Sequence, residues 1–246
     1  MCLLLAAHRV HPHYDLAIAA NRDELHARPT SPLHTWHYPA GLLAGQDLSA
    51  GGTWLGVAGD GRFAAVTNFH EPGRSLPEQP SRGRLVVDFL RSPDDTVAHL
   101  ARLERTAQRY AAFNLLVADR NGLWYASNRS GVFARELPPG IYGLSNHLLD
   151  TPWPKTVTAR AALARWVDTG RRGLEPLRAL LRDTQALPGS DLPWPASSGP
   201  FVQGTEFGTR SSTWLAREAT LLQIGEENFT PLGRSSGLAQ FSVNLR

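Results

Sequence analysis

MCLLLAAHRVHPHYDLAIAANRDE, residues 1–24, decides the reading of the fold. Cys2 to Ala7 is a short apolar run, the His/Pro-rich stretch after it is a turn, and Tyr14 to Ala20 is a second apolar run. Runs of this length bounded by turn residues suit strands buried in a sheet. Together they predict an N-terminal hairpin. The second strand leads directly into Asn21-Arg22-Asp23-Glu24, so a polar cluster is expected beside Cys2.

Outward from that hairpin the same pattern repeats. Trp54 to Ala58 and Phe63 to Thr67 flank Gly59-Asp60-Gly61, and Phe113 to Ala118 and Leu123 to Ala126 flank Asn121-Gly122, a strong hairpin signal. Helices are predicted where caps precede apolar residues at helical spacing. Ser81 precedes Leu85 to Leu90, and Ser92-Pro93-Asp94-Asp95 precedes Val97, Leu100 and Leu103. A third helix is expected over Thr156 to Val167, stopped by Gly170, and a fourth over Leu174 to Leu181. Ser212 to Ala216, Thr220 to Ile224 and Phe241 to Leu245 read as returning strands.

Strands joined by hairpins, then helices, then strands again indicate an α+β protein rather than a parallel α/β sheet. The architecture that fits is a four-layer αββα sandwich, two antiparallel sheets flanked by helices. A length of 246 residues is compatible with one domain spanning 1–246. Pro188, Pro193, Pro195 and Pro200 punctuate residues 184–204, which therefore read as a long loop of the kind that forms lids or binding walls.

Composition narrows the function. With 42% hydrophobic and 19% charged residues the chain buries a core and is not disordered. Lys+Arg 25 against Asp+Glu 22 leaves a net charge of only +3, and almost all the basic residues are Arg, Lys155 being the lone lysine. No clustered basic face indicates nucleic acid. One cysteine excludes an internal disulfide and a Cys-rich zinc site. The histidines, including His11-Pro12-His13, His34 and His37, lack metal-ligand spacing and are expected in solvated loops. No transmembrane segment, metal or cofactor is expected, and the expected location is cytoplasmic.

Cys2 is the residue most able to carry chemistry, because only an initiator Met precedes it. Removal of Met1 would leave a cysteine whose thiol is the nucleophile and whose own α-amino group, with a reference pKa of about 7.7–8.0, accepts the thiol proton near neutral pH. The ordinary alternative is a small buried residue opening a strand. Asp23, at the end of the partner strand, is placed to hold that amine and tune its protonation.

Met1-Cys2, N-R-D-E at 21–24, G-G-T-W-L-G at 51–56, T-N-F at 67–69, S-R-G at 81–83, G-L-S-N at 143–146, D-T-P-W-P-K at 150–155 and T-R-S-S-T at 209–213 together resemble the NRDE family, also called the transport-and-Golgi-organisation family. The resemblance implies an N-terminal-nucleophile hydrolase-like fold, in agreement with the sandwich reached above. It also links the chain to haem trafficking and to lipid or coenzyme A homeostasis. Similarity to the choloylglycine hydrolase and penicillin V acylase group implies further roles. Cys2 attacks an amide or thioester carbonyl, and Asp23 binds the amine. Asn68 and Asn146 serve an oxyanion hole, and Arg210 stands near the sulfur and favours thiolate. The pattern departs at Ala20, where that group carries an Arg. Arg22 is adjacent to Asp23, so the two side chains point to opposite strand faces and Arg22 is expected as an outer ion-pair partner. Trp54 and Trp153 are candidate walls of a binding pocket.

The leading expectation is thus a Cys2 hydrolase or acyltransferase acting on a carbon–nitrogen amide or thioester of a small amphipathic substrate. The alternative is a carrier that uses the same cleft for haem or an acyl-CoA without catalysis.

Overall fold

The structure, a computed structural model, describes residues 2–37, 41–71, 79–185 and 199–245. In chain order the strands are β1 (Cys2–His8), β2 (Leu16–Leu25), β3 (Thr30–Thr35), β4 (Leu42–Asp47), β5 (Leu55–Ala58), β6 (Phe63–Asn68), β7 (Phe113–Ala118), β8 (Leu123–Ser127), β9 (Ala134–Leu137), β10 (Gly140–Leu144), β11 (Phe207–Arg217), β12 (Leu221–Thr230) and β13 (Arg234–Asn244). The helices are α1 (Gly83–Arg91), α2 (Thr96–Glu104), α3 (Pro154–Thr169) and α4 (Glu175–Leu181). Two compact units result. One holds the residues up to Arg28, Pro139–Ser145 and Leu149–Leu245, and the other holds Pro29–Pro138 with Asn146–Leu148.

The first unit is built on a six-stranded antiparallel sheet in the order β10-β1-β2-β11-β12-β13. Alternation decides which residues meet the helices. Leu3, Leu5 and Ala7 of β1, Ala17 and Ala19 of β2 and Trp214 and Ala216 of β11 form one apolar cluster with Ala159, Leu163, Trp166 and Val167 of α3 and Leu177 and Leu181 of α4. Even-numbered Leu4, Ala6, Leu16 and Ile18 lie on the opposite face and are buried too. Gly170 ends α3 in the left-handed conformation at φ 60°, which favours glycine.

The second unit is a seven-stranded antiparallel sheet in chain order, β3 to β9. Leu85, Val86, Phe89 and Leu90 of α1 and Leu100 and Leu103 of α2 pack on one face, against Leu42, Ala64, Val66, Phe113, Leu115 and Val117 among others. The Asp95 carboxylate accepts the Ala98 N–H at 2.8 Å and caps α2.

The predicted hairpins and helices are present, with differences at their edges. β2 does not stop at Ala20 but continues through Asn21-Arg22-Asp23-Glu24 to Leu25, so the polar cluster is part of a central strand. β3, which carries Pro32 and a register shift between Ser31 and His34, is an edge strand, the place a sheet tolerates proline. His11 is not solvated. It is buried, stacked between Tyr14 at 4.7 Å and Trp166 at 4.6 Å between ring centroids. Pro188, Pro193 and Pro195 of the predicted loop lie outside the described residues; Pro200 is buried, and its carbonyl accepts a bond from Asn21. No helix among the described residues is long and apolar enough to cross a membrane.

Candidate active site

The β1–β2 register sets the geometry around Cys2. Cys2 is paired with Arg22, Leu3 with Asn21 and Leu4 with Ala20. Directly opposed residues of an antiparallel pair project to the same face, so Arg22 shares the face of Cys2, and Asn21 and Asp23 point to the helix face. Because the strands run in opposite directions, the nitrogen end of Cys2 is the end nearer Asp23. The thiol and the backbone nitrogen of one residue therefore meet different partners. The Ser145 hydroxyl, one residue beyond β10, donates to the Cys2 carbonyl at 2.8 Å and fixes the start of β1.

On the other side of β2, β11 answers the polar cluster residue by residue. Asn21 Oδ1 accepts from the Ser212 hydroxyl at 2.6 Å, while its Nδ2 donates to the carbonyls of Leu181 and Pro200, each at 2.8 Å. Arg22 stands opposite Ser211. Asp23 Oδ1 accepts from the Thr209 hydroxyl at 2.7 Å, and Thr209 Oγ1 in turn accepts the Val202 N–H at 2.9 Å. Arg210 falls in the register shift between Thr209 and Ser211, and this extra residue lets both hydroxyl-bearing neighbours keep their alignment.

Burial distinguishes these side chains. Arg22 is buried and its guanidinium lies 3.8 Å from the Glu24 carboxylate. Ser211 is buried beside it, and its hydroxyl has no hydrogen-bond partner among the described residues, an uncommon state for a buried polar atom. Asp23 is buried; burial pushes its carboxyl above the usual range, opposed by the Thr209 hydrogen bond and by the charges of Lys155 and Arg22. Lys155 is only 1% exposed although it is a lysine. Burial lowers its ammonium from the ordinary value, opposed by Asp23 and then Cys2. Its Nζ lies 5.6 Å from the centre of the Trp153 ring.

Cys2, Arg22, Asp23, Trp153 and Lys155 are thus carried by β1, β2 and the start of α3. Arg210 belongs to the same unit, with a different set of contacts. Its Nη1 donates to the carbonyls of Leu25, His26 and Arg28 at 2.9, 3.0 and 3.1 Å, bracing the chain that leaves β2. Lys155 is a second cation near this group, its ammonium favoured by Asp23 and then by Cys2.

The two asparagines lie in the second unit and are joined to each other. Asn146 Nδ2 donates to the Asn68 carbonyl at 2.9 Å, and the Asn146 carbonyl accepts the His70 N–H at 2.8 Å. Trp54 lies across β4 of that unit, where a Cβ on Gly45 would come within 2.4 Å of its ring. Neither a concavity of about 390 Å³ between α1 and α2 nor one of about 330 Å³ beside Trp214, Ile224 and Phe241 is lined by any of these predicted residues. Among the described residues no three His, Cys, Asp or Glu side chains group as metal ligands.

Residues 1–229 match the protein family described as Transport and Golgi organisation 2. The chain belongs to this family. It is 36% identical over 232 residues to the Transport and Golgi organization protein 2 homolog of Bos taurus, covering 84% of this chain and 83% of that protein. It is 34% identical over 202 residues to the Homo sapiens homolog, covering 77% and 73%. Two solved structures are similar in fold. An N-acylethanolamine-hydrolyzing acid amidase ortholog of Caenorhabditis elegans has a TM-score of 0.53 at 12% identity, over 87% of this chain and 92% of that one. A mutant conjugated bile acid hydrolase from Clostridium perfringens has a TM-score of 0.55 at 8% identity, over 98% and 92%. At such identities the likeness shows the fold alone, and the fold is that of the N-terminal-nucleophile hydrolases.

This Transport and Golgi organisation 2 chain uses several of the motifs quoted from its sequence to close backbone on backbone. Gly52 of G-G-T-W-L-G and Gly83 of S-R-G touch so closely that a Cβ on Gly52 would stand 2.6 Å from the Gly83 carbonyl carbon. In G-L-S-N and D-T-P-W-P-K, Asp150 accepts the Gly143 N–H at 2.8 Å, and its own N–H returns to the Gly143 carbonyl at 2.8 Å. That clasp delivers Pro154 and Lys155 to the first turn of α3. Lys155 was not among the residues selected from sequence. Its signal was there, a single lysine in a chain that otherwise uses Arg.

Proposed function

We propose that this protein is a hydrolase or acyl-transfer enzyme that cleaves a carbon–nitrogen amide or thioester bond of a small amphipathic substrate through an acyl-enzyme on Cys2. The observation that carries the reading is the pairing of Cys2 with Arg22, which turns the nitrogen end of Cys2 toward Asp23. The amidase and bile acid hydrolase named above share this fold, which supports the class of reaction without naming the substrate.

The chemistry proceeds as follows once Met1 is removed. The α-amine of Cys2 takes the thiol proton, and the sulfur attacks the substrate carbonyl. Collapse of the tetrahedral intermediate breaks the bond to the leaving amine or thiol, which receives that proton. Water, activated by the same amine, then attacks the thioester and releases the acid. Asp23 holds the amine, and Arg22 and Ser211 supply donors on the thiol's face for a polar group of the substrate.

Intact-mass spectrometry tests this directly. Purified protein should lack Met1 and, mixed with a panel of N-acyl amides and acyl thioesters, should gain the mass of an acyl group that Cys2→Ala does not gain. The oxyanion role implied for Asn68 and Asn146 is read separately, from acylation rates of Asn68→Ala and Asn146→Ala, each expected to fall about 100-fold or more. Retained Met1, or no adduct with any member of the panel, sinks the reading. Haem or a long-chain acyl-CoA binding equally to wild type and Cys2→Ala in that case would establish a carrier.

A further inference from the structure

The sequence contains 25 Lys and Arg residues, and Lys155 is the only lysine among them. It is also almost fully buried. A guanidinium cannot be deprotonated in a protein and spreads its charge over a wide fork, whereas an ammonium is a compact charge on a flexible stem. A buried position that tolerates lysine in such a chain calls for a point charge. Burying one is costly unless an opposite charge faces it.

Its surroundings supply that charge. α3 packs on the helix face of the first sheet, the face to which Asp23 is turned by its place in β2. The Asp150 clasp to Gly143 fixes the first turn of α3 against β10, next to β1. Among the described residues, Asp23 from β2 and then Cys2 from β1 favour the charged ammonium. Other charges of the neighbouring elements are directed elsewhere. Arg160 of α3 pairs with Asp150 at 3.2 Å, while Arg178 and Arg182 of α4 pair with Glu227 at 3.0 and 2.8 Å. Arg22, on the face of Cys2, lies 3.8 Å from Glu24 and acts on Asp23 less than Lys155 does, and Arg210 is engaged by three carbonyls.

We propose that Lys155 is the buried cation of the Cys2 site, a positioning residue that supports the carboxylate of Asp23 and the thiolate of Cys2 against burial. The inference rests on the reading of Cys2 as nucleophile, but not on any particular substrate or on turnover. It assigns to Lys155 the electrostatic role that the sequence resemblance implied for Arg210.

The test is the rate of Cys2 carbamidomethylation by iodoacetamide from pH 6 to 9, followed by intact mass on protein shown to lack Met1. Lys155→Met should slow the reaction at pH 7 by about tenfold or more and leave the high-pH plateau unchanged. Lys155→Arg should recover most of the rate. An unchanged pH profile in Lys155→Met overturns the proposal. Should Lys155→Met fail to fold, the wild type answers by itself. Labelling with [15Nζ]lysine gives one side-chain resonance, because the chain has one lysine. An ammonium at pH 7 whose titration moves when Cys2 is carbamidomethylated supports the proposal, and a neutral amine at pH 7 overturns it. A Lys155 effect without any acyl-enzyme would retain this inference and reject the amidase reading. An acyl-enzyme with no Lys155 effect would do the reverse.

Discussion

Cys2 stands directly opposite Arg22 across the β1–β2 ladder, so the two side chains share one face of the sheet. Adjacent Asp23 is turned to the other face. Cys2 therefore has Arg22 on its side-chain face and Asp23 toward its nitrogen end. Arg22→Met, which keeps the apolar stem and removes the charge, should slow acylation of Cys2 by about tenfold or more, as loss of one charged hydrogen-bond donor does. The check is the time course of the acyl-enzyme mass, alongside a urea midpoint to show that the variant is folded. Acylation at the wild-type rate would remove Arg22 from the site.

Two neighbouring serines should respond oppositely to truncation. The Ser211 hydroxyl is buried without a hydrogen-bond partner among the described residues, so Ser211→Ala should leave stability within about 0.5 kcal/mol of wild type. The Ser212 hydroxyl donates to Asn21 Oδ1 at 2.6 Å in a buried network, so Ser212→Ala should cost about 1–3 kcal/mol. Urea denaturation of both variants checks this. If Ser211 serves substrate, Ser211→Ala will also weaken substrate saturation while leaving the alkylation rate of Cys2 unchanged.

The N-terminal hairpin was legible in the sequence because both runs are apolar and bounded by turn residues. The end of its second strand was not, because Asn21 to Glu24 look like a turn until β11 is known to supply Ser212, Ser211 and Thr209 opposite them. Asp23 and its hydroxyl partner Thr209 are 186 residues apart in the chain, beyond the reach of any local pattern. Lys155, 153 residues from Cys2, is brought in by the Asp150 clasp, which no period of 2 or 3.6 reveals.

The motif glycines make a separate prediction. Gly52→Ala would drive a Cβ to 2.6 Å from the backbone of Gly83, and neither the β4–β5 connection nor the start of α1 can yield without breaking the contact between them. A loss of about 1–3 kcal/mol is expected, the usual effect of overpacking. Gly59→Ala, where a Cβ would meet nothing within 4 Å, is the control and should change stability by less than about 0.5 kcal/mol. Similar urea midpoints for the two variants would show that the backbone contact is not tight.

Acid sensitivity should come in part from His99. This histidine is buried on α2, edge-on to Phe89 at 5.2 Å between centroids, and its Nδ1 faces Arg102 Nη2 at 3.2 Å. A guanidinium can only donate, so Nδ1 accepts and the ring proton sits on Nε2. Protonating Nδ1 would break that bond and set the buried imidazolium against the guanidinium of Arg102, which is exposed and paired with Asp94. Burial, the leading cause, lowers the His99 pKa from 6.5, with the Arg62 charge acting in the same direction and Asp88 against it. The sign follows from proton counts. Between the folded value and 6.5 the unfolded chain binds more protons at this site than the folded one, so stability rises with pH. The contribution is complete above pH 6.5 and is lost as pH falls through the folded value. In wild type the urea midpoint should therefore drop below pH 6.5, with His99 supplying a slope of at most about 1.4 kcal/mol per pH unit. His99→Leu removes the titrating group and should flatten the profile between pH 5 and 6.5, even if its midpoint at pH 7.5 is lower. A profile as steep as wild type in that variant would assign the acid response to other groups, first among them His8, which is also buried and also lowered chiefly by burial.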